Sequence, residues 1–324
     1  MNFSKLQIAD QLIQISSDEA FNELARKIFA LQRDQVSPFS EFLSRINWQE
    51  GDDFPFVPIE LFKHYRFNRF DYESAVFKSS GTTLGQRSNH FVHDLDLYST
   101  LSASHFESLY GSLEEWVLLA YLPSYVENGD SSLVYMANDF ISRSKNRSSS
   151  FIESPDDLHN RLNALRNYNQ KTLLIGVSYA LLDFAELFEF EFPNLVVMET
   201  GGMKGRKVEL TRTELHRALK AGFKQSDIHS EYGMTELLSQ AYSINQEAFV
   251  PPRWMRAFCV DISDPFHRLP AGRRGLLAFI DLANVHSCSF IQTRDIGIIN
   301  DSGHFTVEGR LDNSDIRGCN LLYT

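Results

Sequence analysis

Ser79-Ser80-Gly81-Thr82-Thr83 sets four hydroxyls around one glycine. Backbone N–H groups and hydroxyls in such a loop can cradle phosphate oxygens. It is not a Walker-type loop, because no Gly-Lys-Ser/Thr follows at the required spacing; Arg87 is a nearby source of positive charge. Glu236 closes a second motif, Tyr232-Gly233-Met234-Thr235-Glu236. A carboxylate beside a chain of phosphates is repelled unless a divalent cation bridges the two, so Glu236 reads as a Mg²⁺ ligand. The Tyr232 ring offers a face on which a purine can stack. Asp295, in Thr293-Arg294-Asp295-Ile296-Gly297, can accept two hydrogen bonds from a ribose diol, with Arg310 and Asp312 just past the next turn. Each motif also has a plainer reading. The first is then a Ser/Thr/Gly turn, the second a helix N-terminus with an acidic first turn and Asp295 a turn residue before Gly297. Arg310 and Asp312 become an exposed ion pair of little energetic weight.

Two further features can do covalent chemistry. Gly176-Val177-Ser178-Tyr179-Ala180 approximates the nucleophile elbow Gly-x-Ser-x-Gly, with Ala in the last place, and Asp183 and His216 follow in an order a triad can use. The plainer reading is a serine capping a helix. Among the cysteines, Cys259 and Cys288 lie in apolar runs and read as small buried hydrophobes. Cys319 lies beside Arg317 in a glycine-flanked segment, a setting that favours the thiolate. A thiolate there can take an activated acyl group and hold it as a thioester; the plainer reading is an incidental cysteine near a terminus.

These residues need a frame. The 324 residues are enough for one large domain or two ordinary ones, and 43% apolar residues with 26 Phe supply a substantial core. A formal charge of -11 excludes a generally basic, nucleic-acid-binding surface. No apolar run approaches the roughly 20 residues that span a bilayer, and Met1-Asn2-Phe3-Ser4-Lys5-Leu6 lacks the apolar stretch of a signal peptide. The expectation is a cytoplasmic protein with no transmembrane segment and no nucleic-acid partner. Three separated cysteines make neither a metal-ligand pair nor a disulfide framework.

Helices are expected after a capping box of Ser16 with Glu19 and from Pro38 onward. Strands are expected at 117–122, 172–177 and 195–198, and helices at 158–166, from about 179 to 188, and after Thr211 with Glu214. Residues 228–230 lead into the Tyr232 turn, and 142–150 read as an exposed loop. Such alternation implies a parallel sheet covered by helices, with ligands beyond the C-terminal ends of the strands. From about residue 250 short strands at 257–262, 275–280 and 290–292 predict a β-rich subdomain.

In this order the motifs resemble the adenylate-forming enzymes, which activate a carboxylic acid with ATP as an acyl-adenylate. Phe54-Pro55-Phe56-Val57-Pro58 with Leu61-Phe62-Lys63 resembles, within them, the acyl-protein synthetases of the LuxE family. The resemblance implies an α/β fold: the large N-terminal domain of the adenylate-forming enzymes, with helix-covered, mostly parallel sheets and a small β-rich subdomain. That domain is expected over residues 1–308, its β-rich part over about 250–308, with a tail at 309–324 in place of the usual C-terminal domain. ATP and Mg²⁺ are the implied cofactors. Ser79, Ser80, Gly81, Thr82 and Thr83 would hold phosphates, Glu236 the metal, and Asp295 with Arg310 the ribose, beside Tyr232, Gly233 and Thr235. Glu199-Thr200-Gly201-Gly202-Met203-Lys204-Gly205 resembles the loop beside the adenine, where Gly201 and Gly202 would lie against the base and Lys204, Arg206 or Arg87 would neutralise phosphate. Residues 172–182 resemble the strand and helix bordering the acyl pocket of phenylacetate-CoA ligases. The implied substrate is a carboxylic acid, a fatty acid within the LuxE resemblance, and Cys319 would accept the acyl group for a partner protein or CoA. Two departures stand out: Thr83-Leu84-Gly85-Gln86-Arg87 replaces the usual Thr-Gly-x-Pro-Lys, and no equivalent of the C-terminal domain's lysine is present. Three other readings stay open: a CoA ligase core that borrows a partner's domain, a non-catalytic nucleotide-binding scaffold, and a hydrolase built on Ser178.

Overall fold

The computed structural model describes residues 5–79, 86–123, 129–201, 210–244 and 248–311. Ser80, Gly81, Thr82, Thr83, Gly202, Lys204, Asp312 and Cys319 lie outside them. The chain divides into two compact units, one of residues 1–75, 88–94 and 250–324, the other of 76–87 and 95–249.

The second unit contains a six-stranded sheet in the order β5-β4-β6-β7-β8-β9. Its strands are β4 (Val117–Tyr121), β5 (Ser150–Phe151), β6 (Thr172–Val177), β7 (Leu195–Thr200), β8 (His229–Tyr232) and β9 (Ala241–Ser243). All pair in parallel except β9, which runs antiparallel to β8. Every residue of β4 and β6 is buried. A parallel strand covered on both faces reads as an unbroken apolar run, which is why the expected boundaries of β6 agree with the structure to the residue. The helices are α4 (Leu95–Tyr110), α5 (Ser132–Ser144), α6 (Pro155–Asn167), α7 (Ser178–Leu187) and α8 (Arg212–Phe223). The α8 N-terminus carries the expected capping box of Thr211 and Glu214. The 142–150 segment is not all loop: Ser142–Ser144 finish α5, and buried Ser144 bonds Ser149 Oγ at 2.8 Å. Polar composition suggested a loop, but the serine hydroxyls return to helix carbonyls. Because β5 and β6 lie on opposite sides of β4, the strand order reverses at β4, and in open α/β sheets such reversals open a crevice at the carboxyl ends of the strands.

In the first unit β1 (Val57–Pro58), β10 (Met255–Val260), β11 (Arg268–Leu269), β12 (Gly275–Asp281), β13 (Phe290–Ile299) and β14 (Phe305–Arg310) form one sheet in the order β1-β13-β12-β10-β11, with β14 also paired to β13. Among the described residues the remaining strands are β2 (Ala75–Lys78), which leads into Ser79, and β3 (Asn89–Val92). The helices of this unit are α1 (Lys5–Ile13), α2 (Asp18–Gln35) and α3 (Ser37–Arg45). The α2 cap is Ser17, whose hydroxyl accepts from Ala20 N, rather than Ser16. Gln32 of α2 fastens this helix to the turn before β13: its amide donates to Asn284 O at 2.8 Å and accepts from Ser289 N at 3.0 Å. Phe29 packs on Phe39 and Phe290 with ring centroids 5.3 and 5.1 Å apart. No helix among the described residues is long and apolar enough to cross a membrane.

Candidate functional site

Polar residues gather at one edge of the sheet: Ser178 directly follows β6 as the first residue of α7, β7 ends in Glu199-Thr200, and β8 is His229-Ser230-Glu231-Tyr232. The register places Glu199 beside Ser230 and Thr200 beside Glu231. Successive strand residues face opposite ways. Glu199 and Ser230 therefore share the face covered by α7 and α8, and Thr200 and Glu231 share the other.

On the first face Glu199 collects donors. Ser178 Oγ donates to Glu199 Oε2 at 2.9 Å and to Gly201 O at 2.5 Å. Ser230 Oγ donates to Glu199 Oε1 at 2.5 Å, His216 Nε2 lies 3.4 Å from that oxygen, and Arg212 Nε stands 4.0 Å away. Burial pushes the Glu199 carboxyl up, but the hydrogen bonds from His216 and Ser230 and the charges of His216 and Arg212 outweigh it and hold the group below the usual carboxylate range. The Arg212 guanidinium also lies 4.4 Å over the Phe249 ring, and Phe249 packs 5.6 Å from Tyr232.

On the second face Glu231 accepts from Thr200 Oγ1. Burial pushes its carboxyl up to about 7, against a lowering by the Thr200 bond and with a further upward push from the Glu199 charge. The Glu231 carboxylate occupies the space a side chain at position 233 would need: a Cβ on Gly233 would meet Glu231 Oε1 at 2.4 Å. That close approach explains the glycine of the motif.

Tyr232 is the last residue of β8, and the segment to Glu236 is a loop leading to antiparallel β9. The helix N-terminus reading of this motif is thereby excluded. Glu236 is buried, at 4% exposure, while Gly201 and Gly233 are exposed and Tyr232 and Thr235 half-buried. A single carboxylate suits Mg²⁺, which keeps several waters and binds through one or two carboxylates plus substrate phosphates. Among the described residues no group of three or more acidic, His or Cys side chains forms a ready-made cation cage.

Ser79 lies at the end of β2, and its carbonyl accepts from Arg87 Nε. Arg87 also reaches Asp130, Nη2 to Oδ1 at 2.9 Å, and Lys78 Nζ binds the same carboxylate at 3.1 Å. Asp130 thus joins residues on either side of the hydroxyl-rich segment. Arg87, read from the sequence as a phosphate partner, has its guanidinium on Asp130 and on the Lys78 and Ser79 carbonyls.

In the first unit Asp295 is not a turn residue. It sits within β13 with Arg310 of β14 as its register partner, and the Arg310 Nε–Asp295 Oδ1 distance is 3.9 Å. Asp295 is 9% exposed, whereas the Arg310 side chain is 59% exposed. A bulge between Ile296 and Gly297 brings β14 so close that a Cβ on Gly297 would lie 1.9 Å from Thr306 O. Glycine there is a condition for the Asp295–Arg310 pairing.

Glu199, rather than Asp183, is the carboxylate bonded to both Ser178 and His216, and it stands between them. Among the described residues no hydrogen bond joins Ser178 to His216. A nucleophilic serine needs its base within hydrogen-bond reach, so the elbow-like motif does not build a triad. Cys259 and Cys288 are buried as expected, and burial raises both thiols, Cys288 to about 12. The sequence reading missed Glu231, Ser230 and Asp130 as site-building residues; the first two are the buried middle residues of β8, a strand with no apolar run to announce it.

No family model and no curated protein matches the sequence. Solved structures do match. ATP-bound MatB from Rhodopseudomonas palustris superposes with a TM-score of 0.54 at 17% identity, over 73% of this chain and 48% of MatB. An open conformation of 2-hydroxyisobutyryl-CoA ligase in complex with 2-HIB-AMP and CoA gives 0.66 at 12% identity, over 91% of this chain and 70% of that one. The fold is that of the large N-terminal part of adenylate-forming ligases. This chain spans about half the length of MatB. The α/β class expected from the strand-helix alternation is the one found, and the ligase-like frame places Gly201, Tyr232 and Glu236 at or just beyond the carboxyl ends of parallel strands.

Proposed function

We propose that this protein activates a carboxylic acid with ATP. The acid's carboxylate oxygen attacks the α-phosphorus; a P–O bond to the acid forms, the bond to the leaving pyrophosphate breaks, and acyl-AMP results. The observation that carries this reading is the fold shared with ligases that hold ATP, or an acyl-AMP with CoA, combined with the Tyr232–Glu236 motif at the carboxyl end of a parallel strand. In this reading Ser79, Ser80, Thr82 and Thr83 hold phosphate oxygens. Gly201 and Gly202 lie against the base with Tyr232, and Asp295 accepts from the ribose hydroxyls with Arg310 beside it. Glu236 would hold Mg²⁺, which supplies charge neutralisation at the phosphates. Lys204 adds positive charge at the phosphates. Rate then comes from positioning and charge stabilisation rather than from covalent help by the protein.

The acyl group passes to a thiol, with AMP as the leaving group. Cys319 is our first choice of acceptor and a partner protein the next carrier, the reading of an acyl-protein synthetase of the LuxE type. CoA is the second reading, favoured by the CoA bound in the 2-hydroxyisobutyryl-CoA ligase structure. Carboxylate-dependent ATP–pyrophosphate exchange over a panel of short, long and aromatic acids is the test. Exchange with at least one acid is expected; ATP binding without exchange favours the nucleotide-binding scaffold, and the absence of both exchange and ATP binding removes the adenylation reading. Cys319→Ser is expected to keep exchange and to lose a hydroxylamine-sensitive acyl label. No label on the wild-type protein despite exchange points to CoA.

A further inference from the structure

Ser178 opens α7 at the carboxyl end of β6 and is 1% exposed. Its single hydroxyl hydrogen is shared between Glu199 Oε2 and the Gly201 carbonyl. Gly201 has φ 63° and directly follows β7. Glycine has no conformational preference of its own to hold that geometry, so the bonds made by its neighbours must do so.

Glu199 is held from the other side. Ser230 spends its hydrogen on Glu199 Oε1, so toward His216 Nε2, 3.2 Å away, its oxygen can only accept. That assignment places a hydrogen on His216 Nε2. His216 and Ser230 have no exposed surface, and His216 Nδ1 has no partner among the described residues. One residue on from Glu199, Thr200 binds Glu231, the neighbour of Tyr232. Side-chain hydrogen bonds therefore run across the carboxyl ends of β6, β7 and β8, and they end at Gly201 and next to Tyr232.

We propose that Ser178, anchored through Glu199 by Ser230 and His216, is a positioning residue for the nucleotide: it fixes the Gly201 carbonyl and so the place at which Gly201 meets the base. The serine of an elbow-like sequence serves here as a donor to backbone and carboxylate, not as a nucleophile. The proposal rests on the adenylation reading and adds to it a set of residues that touch no substrate.

The test uses the full chain, ATP–pyrophosphate exchange with an acid found active, and calorimetric ATP binding. Ser178→Ala is expected to raise KM for ATP about fivefold to tenfold, the worth of about one hydrogen bond. KM for the acid and kcat should stay within about twofold. Ser230→Ala, one bond further from Gly201, should give the same split with a smaller rise. A lower melting temperature with an unchanged KM for ATP overturns the proposal, as does an equal rise in both KM values, since either describes a merely structural serine. If Ser178→Ala does not fold, Ser178→Cys, close in size and a weaker donor, reads the same split. Wild-type protein that neither exchanges pyrophosphate nor binds ATP overturns the adenylation reading and this proposal with it. Wild-type protein that binds ATP no better than Ser178→Ala overturns the positioning role alone.

Discussion

Glu199 and Glu231 are the penultimate residues of neighbouring strands, are buried to 8% and 7% exposure, and are displaced in opposite directions. Burial raises both carboxyls. Glu199, on the face of α7 and α8, receives Ser178, Ser230 and His216 and has Arg212 nearby. Glu231, on the other face, has the Thr200 hydroxyl, while Glu199 repels it. The difference is in the donors, not in the depth. A carboxylate surrounded by donors stays ionised when buried, and one with a single hydroxyl retains its proton to neutral pH. The first face is thus built around a charge, the second around a group that changes charge near neutrality.

Removing the charged centre should have the largest effect. Glu199→Ala takes the acceptor from three donors and leaves Arg212 and His216 without it. Breaking such a buried set costs about 3–5 kcal/mol, measured as a shift in urea midpoint at pH 7. The sign with pH follows from the lowered group: its stabilisation is present above the ordinary 4.5 and is lost as pH falls through the folded value. The gap between variant and wild type should therefore narrow in acid. A gap that is small at pH 7, or that widens in acid, breaks the contrast with Glu231.

Glu231→Gln should act in the opposite direction. A carboxyl raised from 4.5 to about 7 stabilises the protonated folded form, so the wild type loses stability as pH rises through that interval. At about 1.4 kcal/mol per unit the loss approaches ~3 kcal/mol by pH 8. Glutamine keeps the shape and cannot ionise. The variant should match the wild type near pH 5 and exceed it at pH 8, read from urea midpoints at the two values. A variant less stable than the wild type at pH 8 would mean that Glu231 is held ionised after all.

How much of this contrast was legible in the sequence depends on what each feature obeys. β6 was readable to the residue because Leu173, Leu174, Ile175 and Val177 have no polar interruption. The α8 cap was readable because Thr211 and Glu214 form a local pattern. β13 was cut short at Gln292, although it runs to Ile299, because Thr293, Arg294 and Asp295 look like a turn; their place is decided by pairing with β14, which sequence does not reveal. His216 was noticed, but as the base of a serine. That it meets Glu199 beside Ser230 depends on the register of β7 against β8, between residues 31 apart in the chain. The motifs give residue types at the ends of strands; the register decides which of them share a face.

The smallest expected effect gives the sharpest test of that face-by-face account. Thr200→Val removes the hydroxyl given to Glu231 and keeps side-chain volume close to constant, at a cost of about 1 kcal/mol. The cost should not be uniform with pH. The Thr200 bond lowers the Glu231 carboxyl, so without it the group rises further and its ionisation penalises the fold more. The loss should be slight at pH 5, where Glu231 is protonated with or without Thr200, and largest above pH 7. In a Glu231→Gln background the pH-dependent part should vanish, leaving a constant remainder. If Thr200→Val costs the same at pH 5 and pH 8 in both backgrounds, the hydroxyl serves packing alone and the second face is not organised around the Glu231 proton.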